Sequence, residues 1–285
     1  YCGYGKPDRR TMKDYVAERW RTVLAAGKLM DFDALWQLEA GWFEEPNRRR
    51  GGWSGVSCCE LALPDGGTRM IFLKRQENHK TFSWIHPVDG IPTFEREFQR
   101  IMHYRACGIP TLEPVYFGVR RLGQGHRAIL ATEALTGFVS LEEQVQGWLR
   151  GGVPPRVVRM PVLDAVAGLL RQMHEHRMQH NCFFPKHVFT RINGDGSVEA
   201  RVIDLEKSRW HPSKTACALR DLYSLTLDSL CWSRTDRMRF LKSYLGIARL
   251  TPYAKSLWRR IAAHALSKNR IHAPASVLSV RGGQT

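Results

Sequence analysis

The sequence H-N-C-F-F-P-K-H runs from His180 to His187, and the sequence V-I-D-L-E-K follows at 202–207. The first is a polar loop with a histidine at each end. The turn N-G-D-G at 193–196 lies between them and is typical of a hairpin. Asp204 follows the β-branched residues of an apolar strand, where a carboxylate can meet a divalent cation and phosphate oxygens. These two segments predict a loop and a strand end that carry the chemistry of the chain.

Two residues in the first half of the chain extend this pattern. Lys74 lies near the end of a predicted strand, in M-I-F-L-K-R, where an ammonium could bind phosphate. Glu97 could hold it from the following helix, and its rival Glu95 points about 200° away around that helix. Taken singly, Lys74 could be a solvent-facing lysine on an edge strand, and Asp204 could cap a turn. Their order and spacing together favour the phosphate-binding interpretation.

The bulk properties indicate a globular protein. The chain has 285 residues, 43% hydrophobic and 25% charged, which is enough for two lobes around one cleft. No apolar run approaches the ~18 residues of a membrane span, and residues 1–30 contain no apolar signal-peptide core. Seven cysteines without a C-x-x-C pair favour reduced thiols. We therefore expect a cytoplasmic protein.

The chain is strongly basic, with a formal net charge of +16. Such an excess attracts nucleic acid, an anionic membrane face or a phosphorylated substrate. No nucleic-acid motif accompanies the charge, so a nucleic-acid partner is not expected. The predicted helix at 252–268 alternates apolar and basic residues. It could lie on an anionic membrane, although such helices more often pack on their own domain and leave the basic face in solvent.

The periodicity of apolar residues predicts an α+β fold with two lobes, N-terminal at 1–136 and helical at 137–285. The first lobe is expected to contain an antiparallel sheet and one helix, preceded by an extra helix at the N-terminus. The predicted elements are a helix at 12–29, strands at 34–43, 56–63 and 69–76 in a meander, a helix at 93–107, strands at 115–119 and 128–131, and helices at 156–177, 216–231, 234–246 and 252–268.

Two further features bear on the site. The sequence G-G-W-S-G from Gly51 to Gly55, within a Gly- and Arg-rich turn predicted at 47–55, could lay backbone N–H groups over phosphates. Gly-rich hairpin turns are nevertheless common. Asp221, in L-R-D-L-Y near the start of a predicted helix, could brace the 180–187 loop by hydrogen bonds to its backbone. It could equally be an N-terminal acid favoured by the helix dipole.

These residues resemble the lipopolysaccharide kinase (Kdo/WaaP) family, and specifically its InaA-like branch. The resemblance covers roughly 35–245 and is carried by R-R-R-G-G-W-S-G-V, the strand ending in Lys74, Glu97 in its helix, H-N-C-F-F-P-K-H-V-F and V-I-D-L-E-K-S-R. It implies a bilobal protein-kinase-like fold that uses ATP with Mg²⁺. It also implies phosphoryl transfer to a lipopolysaccharide core sugar, or another phosphorylated sugar, with peripheral contact at the inner membrane.

The resemblance implies a role for each matching residue. Lys74 would hold the α- and β-phosphates, Glu97 would position Lys74, and Asp204 would bind Mg²⁺. His187 stands where a second metal ligand, usually Asn, is expected. This indicates either altered metal use, such as Mn²⁺, or only one tightly held ion. The expected nucleotide contacts are the turn glycines Gly51, Gly52 and Gly55 and, in the hinge against adenine, Glu133 and Leu135.

Cys182 stands where the active sugar kinases of the family carry their catalytic Asp. A thiol does not accept a substrate proton as a carboxylate does, and loss of a general base typically costs ~10²–10⁴ in rate. Phosphoryl transfer depends mostly on positioning and electrostatics, so it can survive that loss. Two hypotheses follow: a slow ATP-dependent phosphotransferase, or a pseudokinase that regulates an envelope or acid-stress response. The sequence predicts no oligomeric state.

Overall fold

The protein divides into two compact units. The computed structural model describes residues 14–49, 51–83, 86–123, 125–227 and 232–272. The first unit takes the chain up to Gly137 together with Ile203–Glu206, and the second takes Phe138–Val202 and the chain from Lys207 onward. The sequence analysis expects a boundary after residue 136, but it assigns 203–206 to the second half. Asp204 therefore belongs to the same unit as Lys74.

Strands dominate the first unit. Its elements are β1 (Tyr15–Val16), a 3-10 turn (Glu18–Trp20), α1 (Arg21–Ala26), α2 (Phe32–Gln37), β2 (Trp42–Arg49), β3 (Gly52–Ala62), β4 (Thr68–Glu77), β5 (Lys80–Ser83), β6 (His86–Pro92), α3 (Thr93–Ala106), β7 (Pro114–Leu122) and β8 (Gly125–Glu133). Six of the strands form an antiparallel sheet in the order β1-β7-β8-β4-β3-β2, and β5 pairs with β6.

Strand β4 lies between β3 and β8, and its side chains alternate between the two faces of the sheet. On one face Ile71 and Leu73 are fully buried in an apolar core that α1 and α2 complete. Lys74 points to the other face. Helix α3 packs on that second face through Phe98, whose ring stacks on Phe117 of β7 at a centroid distance of 4.3 Å. The pattern of β4 thus brings Lys74 to the face that α3 covers.

The strands predicted at 56–63, 69–76, 115–119 and 128–131 and the helix at 93–107 are confirmed as β3, β4, β7, β8 and α3. The strand predicted at 34–43 is wrong. Phe32–Gln37 forms a helix whose first turn is capped by the Asp31 carboxylate, which accepts from the Ala34 N–H at 2.9 Å. Phe32 and Leu35 are buried at helical spacing. The first strand of the meander is instead β2.

The long N-terminal helix predicted at 12–29 is also wrong within the described part. Only Arg21–Ala26 is α-helical, and Tyr15–Val16 pairs with β7. Asp14 accepts hydrogen bonds from Tyr116 and Arg120 at 2.5 and 2.7 Å, which ties this segment to the sheet. The spacing of apolar residues along the sequence cannot reveal such long-range contacts. Here they decide the local structure against the helical pattern.

The Gly-rich segment at 47–55 is a tight hairpin rather than a long turn. Strands β2 and β3 remain paired up to Arg49 and Gly52, so the pairing extends well into the segment predicted as a turn. Gly51 has φ +78, a left-handed conformation that tight hairpins require and glycine adopts without strain.

The second unit is mainly helical, as predicted, but contains short strands as well. Its elements are β9 (Val139–Ser140), α4 (Leu141–Gly151), α5 (Arg156–Glu175), β10 (Met178–Gln179), a 3-10 turn (Pro185–His187), β11 (Val188–Ile192), β12 (Val198–Val202), β13 (Arg209–Trp210), α6 (Lys214–Leu227), α7 (Arg234–Leu245) and α8 (Pro252–His272), with the 3-10 turn Leu205–Lys207 at the junction of the units. Strands β11 and β12 form the hairpin that N-G-D-G predicts. Part of the helix predicted at 216–231 lies outside the described residues.

Candidate functional site

Lys74 and Glu97 form a close ion pair in the first unit. The Lys74 ammonium donates to Glu97 Oε1 at 2.6 Å, and the two side chains are 18% and 3% exposed. This is the pair that the sequence predicts. The rival Glu95 accepts from Gln99 one turn further along α3, at 3.2 Å. Strand alternation and the helical turn together select Glu97 as the partner.

Nearby carboxylates keep the Lys74 side chain charged. Burial works to lower the pKa of Lys74, but Glu97 and Asp204 outweigh it and hold that pKa above its usual value. Burial raises the pKa of Glu97, and the Lys74 ammonium opposes that rise. The short separation is typical of a charge-assisted hydrogen bond. Glu97 therefore fixes the position of the Lys74 ammonium, which can meet an anionic group with its remaining N–H donors.

Asp204 lies two residues beyond β12, whereas the sequence analysis places it at the end of the strand. It belongs to the first unit, and its charge acts on both Lys74 and Glu97. Its backbone has φ +59, a left-handed conformation that is uncommon for a residue with a side chain. Glu206 and Glu44, which the sequence analysis missed, add negative charge near the pair. Periodicity carries no signal for either residue.

An apolar surface that was not predicted lies on the same face of the sheet as Lys74. Phe72 and Met70 precede Lys74 by two and four residues and therefore share its face. The ring of Phe43, which is 65% exposed, meets that of Phe72 edge-on at 5.1 Å. Neighbouring apolar side chains that are exposed together can mark a surface for a ligand or a partner. The alternation M-I-F-L-K could have predicted this surface.

The three glycines at 51, 52 and 55 are needed for different structural reasons. A Cβ at Gly52 would lie 2.1 Å from the Glu77 carbonyl oxygen, and one at Gly55 would lie 2.7 Å from the Trp42 ring. Close packing within the sheet therefore explains both of these glycines. A Cβ at Gly51 would meet no other atom, so the positive φ of this residue is what favours glycine there.

The predicted hinge residues lie at the end of β8. The Glu133 carboxylate pairs with Arg19 and Arg69, and its backbone N–H donates to the Glu113 carbonyl at 2.9 Å. The next backbone N–H, that of Ala134, donates to a carbonyl of β4. Leu135 follows and is partly buried. A contact from Glu133 to a ligand would therefore use its carbonyl oxygen.

The loop that carries Cys182 and His187 belongs to the second unit, and hydrogen bonds fix its backbone. The Cys182 N–H donates to His180 Nδ1 at 3.3 Å, and the Cys182 carbonyl lies 2.8 Å from His187 Nδ1. A carbonyl can only accept, so Nδ1 of His187 carries a proton and Nε2 carries the lone pair of the neutral ring. That nitrogen is the atom with which His187 could bind a metal.

Asp221 braces this loop, as one of the two sequence interpretations predicts. Its carboxylate is fully buried and accepts from the backbone N–H groups of His180 and Asn181 at 2.7 and 2.9 Å. His174 Nε2 lies 3.2 Å from the same carboxylate, and Tyr244 lies 2.7 Å from His174 Nδ1. Asp221 stands in the middle of α6, so the alternative of an N-terminal acid is wrong.

The side chains that could bind a metal ion suit an Mg²⁺ that arrives with phosphate better than a preformed metal centre. Within the described ranges, no three His, Cys, Asp or Glu side chains gather as a metal site. Mg²⁺ is usually held by one or two carboxylates together with substrate phosphates and water. Within the first unit, the Asp204 carboxylate and the charge of Lys74 fit that requirement.

No helix in the part of the chain that the structure describes has the length and apolarity to cross a membrane. The model of the lipopolysaccharide kinase (Kdo/WaaP) family matches residues 33–244. The protein InaA of Escherichia coli (strain K12) is 33% identical over 189 residues, which cover 66% of this chain and 82% of that protein.

A second relative, the lipopolysaccharide core heptose(I) kinase WaaP of Escherichia coli, is 29% identical over 166 residues, or 53% of this chain and 60% of that enzyme. A solved structure of WaaP in complex with acyl carrier protein has a TM-score of 0.65 at 21% identity, with 92% of this chain and 100% of that chain covered. This likeness confirms the α+β, protein-kinase-like fold. The chain belongs to the lipopolysaccharide kinase (Kdo/WaaP) family, in its InaA-like branch.

Proposed function

We propose that the protein is an ATP-dependent phosphotransferase that acts on a sugar of the lipopolysaccharide core or a similar phosphorylated sugar. The observation that carries the proposal is the Lys74–Glu97 ion pair, 2.6 Å long, with Asp204 close enough to act on its charge. A kinase needs a fixed cation and a metal-binding carboxylate of this kind to hold the phosphates. Membership of a kinase family supports the same role.

In this proposal the residues have separate tasks. Lys74 holds the α- and β-phosphates, Glu97 holds Lys74 in place, and Asp204 binds Mg²⁺ or Mn²⁺ with His187 as a second ligand. The metal, when bound, neutralises the charge that develops on the transferred phosphoryl group. The backbone of the turn at Gly51 contacts phosphate.

The base of the nucleotide has a proposed place on the apolar surface beside Lys74. Phe72 and Phe43 offer aromatic rings, and backbone groups of Glu133 and Leu135 supply polar contacts. Aromatic surfaces with a few convergent polar groups are typical of small-molecule sites. The glycines at 52 and 55 contribute through the packing of the hairpin, which shapes this side of the sheet.

In this proposal the phosphate acceptor is identified only by its chemical class, a phosphorylated sugar. One relative is by its name a kinase of core heptose, and a solved relative binds acyl carrier protein. We extend the sugar acceptor to this chain because a net charge of +16 favours a phosphorylated substrate. The same charge supports peripheral contact with an anionic membrane face.

A second candidate is a pseudokinase that binds nucleotide and regulates an envelope or acid-stress response. Cys182 favours it, because the resemblance aligns this thiol with the catalytic carboxylate of the family's active kinases. Hydrogen bonds to His180 and His187 support the backbone at that position. The intact Lys74–Glu97 pair argues against loss of the nucleotide site. Catalysis thus separates the two candidates, and nucleotide binding is common to both.

Thermal unfolding with ATP, with and without Mg²⁺ or Mn²⁺, tests the nucleotide site. Ligand at about 100 times its Kd stabilises the folded state by about 2.7 kcal/mol, so we expect a metal-dependent rise in Tm. Asp204→Ala should abolish the metal-dependent part. Asp164→Ala, on the exposed side of α5, is the control and should keep it. No metal-dependent shift in the unmodified protein would refute the proposed nucleotide site.

Transfer separates the two candidates. Phosphate release or transfer to core sugars by the purified protein, above an Asp204→Ala background, supports the phosphotransferase. Metal-dependent binding without any transfer supports the pseudokinase.

A further inference from the structure

Gln76 connects the strand that carries Lys74 to the helix that carries Glu97. Its side-chain Oε1 accepts from the Thr93 hydroxyl at 2.6 Å and from the Phe94 backbone N–H at 2.8 Å. Its Nε2 donates to the His79 carbonyl at 2.5 Å. Gln76 is fully buried and Thr93 is 1% exposed. The amide therefore bridges β4, the chain after β4 and the first turn of α3.

This bridge supplies a helix cap that α3 lacks. Pro92 stands at the N-cap position and makes no side-chain hydrogen bond to the helix. The first N–H groups of a helix have no partner within the helix and need one from elsewhere. The Gln76 oxygen satisfies that of Phe94, and the His79 carbonyl accepts from the Thr93 N–H at 3.3 Å. The start of α3 is thus anchored to the end of β4.

Strand β4 and helix α3 are linked at two points, by Gln76 to Thr93 and by Lys74 to Glu97. The distance between these links explains how the first supports the second. Gln76 follows Lys74 by two residues on one face of the strand, about 6.6 Å away. Glu97 follows Thr93 by four residues on one side of the helix, about 6 Å away. The strand and the helix are therefore joined at two points of matching separation. One attachment would let α3 pivot about it, whereas two fix its rotation as well as its distance.

We propose that Gln76 and Thr93 are positioning residues that hold Glu97 against Lys74, so that the ion pair is assembled without a ligand or a modification. The benefit for phosphate binding rests on the proposed function, but the effect on the pair does not. Neither residue needs to touch substrate. Both act through α3.

Chemical labelling of Lys74 tests this inference without any nucleotide. Glu97 holds the pKa of the Lys74 ammonium up and shields it, so loss of the anchor should expose a more reactive amine. We expect Gln76→Met and Thr93→Val to raise the rate of Lys74 acetylation by acetic anhydride, followed by mass spectrometry, by about tenfold, which matches a fall of one pKa unit. Thr93→Ser, which keeps the hydroxyl, should restore the slow rate.

Tyr116→Phe is the matched control. It removes a part-buried hydrogen bond that Tyr116 of the same sheet donates to Asp14 at 2.5 Å, on the opposite face. It should leave the labelling of Lys74 unchanged even if it lowers the Tm. Labelling at the original rate in folded Gln76→Met and Thr93→Val would overturn the inference. If Gln76→Met does not fold, the smaller change Thr93→Val with its Thr93→Ser rescue decides.

The labelling result is independent of the proposed activity. Faster labelling in a protein that shows no metal-dependent nucleotide binding would keep the positioning role and remove the kinase function. Unchanged labelling in a protein that binds nucleotide would do the reverse.

Discussion

Lys74 shows how the setting of one residue decides between a surface charge and a functional one. An ammonium that is only 18% exposed loses much of its hydration, which is unfavourable unless a carboxylate compensates. Glu97 does so at 2.6 Å, and Asp204 adds a second negative charge. The carboxylates around Lys74 therefore outnumber its single positive charge, and a metal ion or another cation would balance them. A simple surface lysine would need none of these partners.

In the proposed enzyme, Cys182 limits the rate of phosphoryl transfer, because a thiol replaces the general base. We expect Cys182→Asp to increase phosphoryl transfer at least tenfold, because general bases contribute ~10²–10⁴ in rate. The backbone of residue 182 is held by His180 and His187, so a new carboxylate would start from a fixed position. Initial rates of transfer to core sugars, measured with each variant, provide the readout.

Cys182→Asn is the control for this prediction, because asparagine has the shape of aspartate without its basicity. It should show no gain in transfer. Equal gains in both variants would mean that shape or polarity limits the rate, and no gain in either would argue that the missing carboxylate is not what limits transfer.

Among the elements, helix α7 offers a stabilising cap whose strength depends on pH. Ser233 and Asp236 form a reciprocal capping box, and Arg159 of α5 lies 3.0 Å from the Asp236 carboxylate. Burial works to raise the pKa of Asp236, but hydrogen bonds from Ser233 and the charge of Arg159 hold that pKa below its usual range. This carboxylate therefore stabilises the folded state in its ionised form.

The pKa direction fixes the sign of the pH dependence. Because the folded pKa is lowered, the stabilisation is fully present above the unfolded pKa of about 3.9 and disappears as pH falls through the folded value. We expect Asp236→Asn to lower the free energy of unfolding at pH 7 by about 1–3 kcal/mol. The difference from the unmodified protein should shrink below about pH 4. Urea unfolding at a series of pH values measures it.

Helix α4 supplies the control for that prediction. Its capping box pairs Ser140 with Glu143, and no ion pair to Glu143 is found in the described part of the chain. Glu143→Gln should therefore have a smaller effect, under about 1 kcal/mol. A constant difference for Asp236→Asn from pH 7 to pH 3 would contradict the assigned role of the ionised carboxylate.

For the whole molecule, the charge of +16 is the dominant long-range property. Helix α8 buries Ala254, Leu257 and Ile261, and its basic side chains Lys255, Arg259 and Arg260 are exposed. These apolar side chains thus pack within their own unit, as the simpler sequence interpretation expects, and the three basic side chains stay in solvent.

We expect the protein to bind vesicles that contain phosphatidylglycerol at about 0.05 M salt and to release them near 0.5 M, because screening shortens the reach of surface charges. Charge reversal at Lys255, Arg259 and Arg260 should weaken binding at least tenfold in a sedimentation assay. That factor corresponds to about 1.4 kcal/mol, which is a lower bound because three basic residues near the membrane contribute about 3 kcal/mol together.

A matched triple reversal at Lys28, Arg121 and Arg150 makes the same change in net charge at other exposed positions. If both triples weaken binding equally, the net charge rather than α8 carries the interaction. Equal binding to neutral phosphatidylcholine would remove the electrostatic explanation. Tight, salt-dependent binding to duplex DNA would instead revive a nucleic-acid partner.

The sequence by itself determined the elements whose signals are local. Alternation fixed β3 and β4, glycine and proline ended α3 near residue 107, and N-G-D-G set the β11–β12 hairpin. The same local signals led to the choice of Glu97 over Glu95. These predictions succeeded because strand alternation and helical rotation fix where a side chain points before any long-range contact forms.

Only the tertiary structure decided what depends on distant partners. Phe32–Gln37 became a helix because its apolar side chains have a sheet face to cover, and Tyr15–Val16 became a strand because β7 offers an edge. Asp204 joined the unit of Lys74, and Gln76 acquired its role through Thr93. A buried polar side chain takes its meaning from the groups that satisfy it, and those groups lie far away in the sequence.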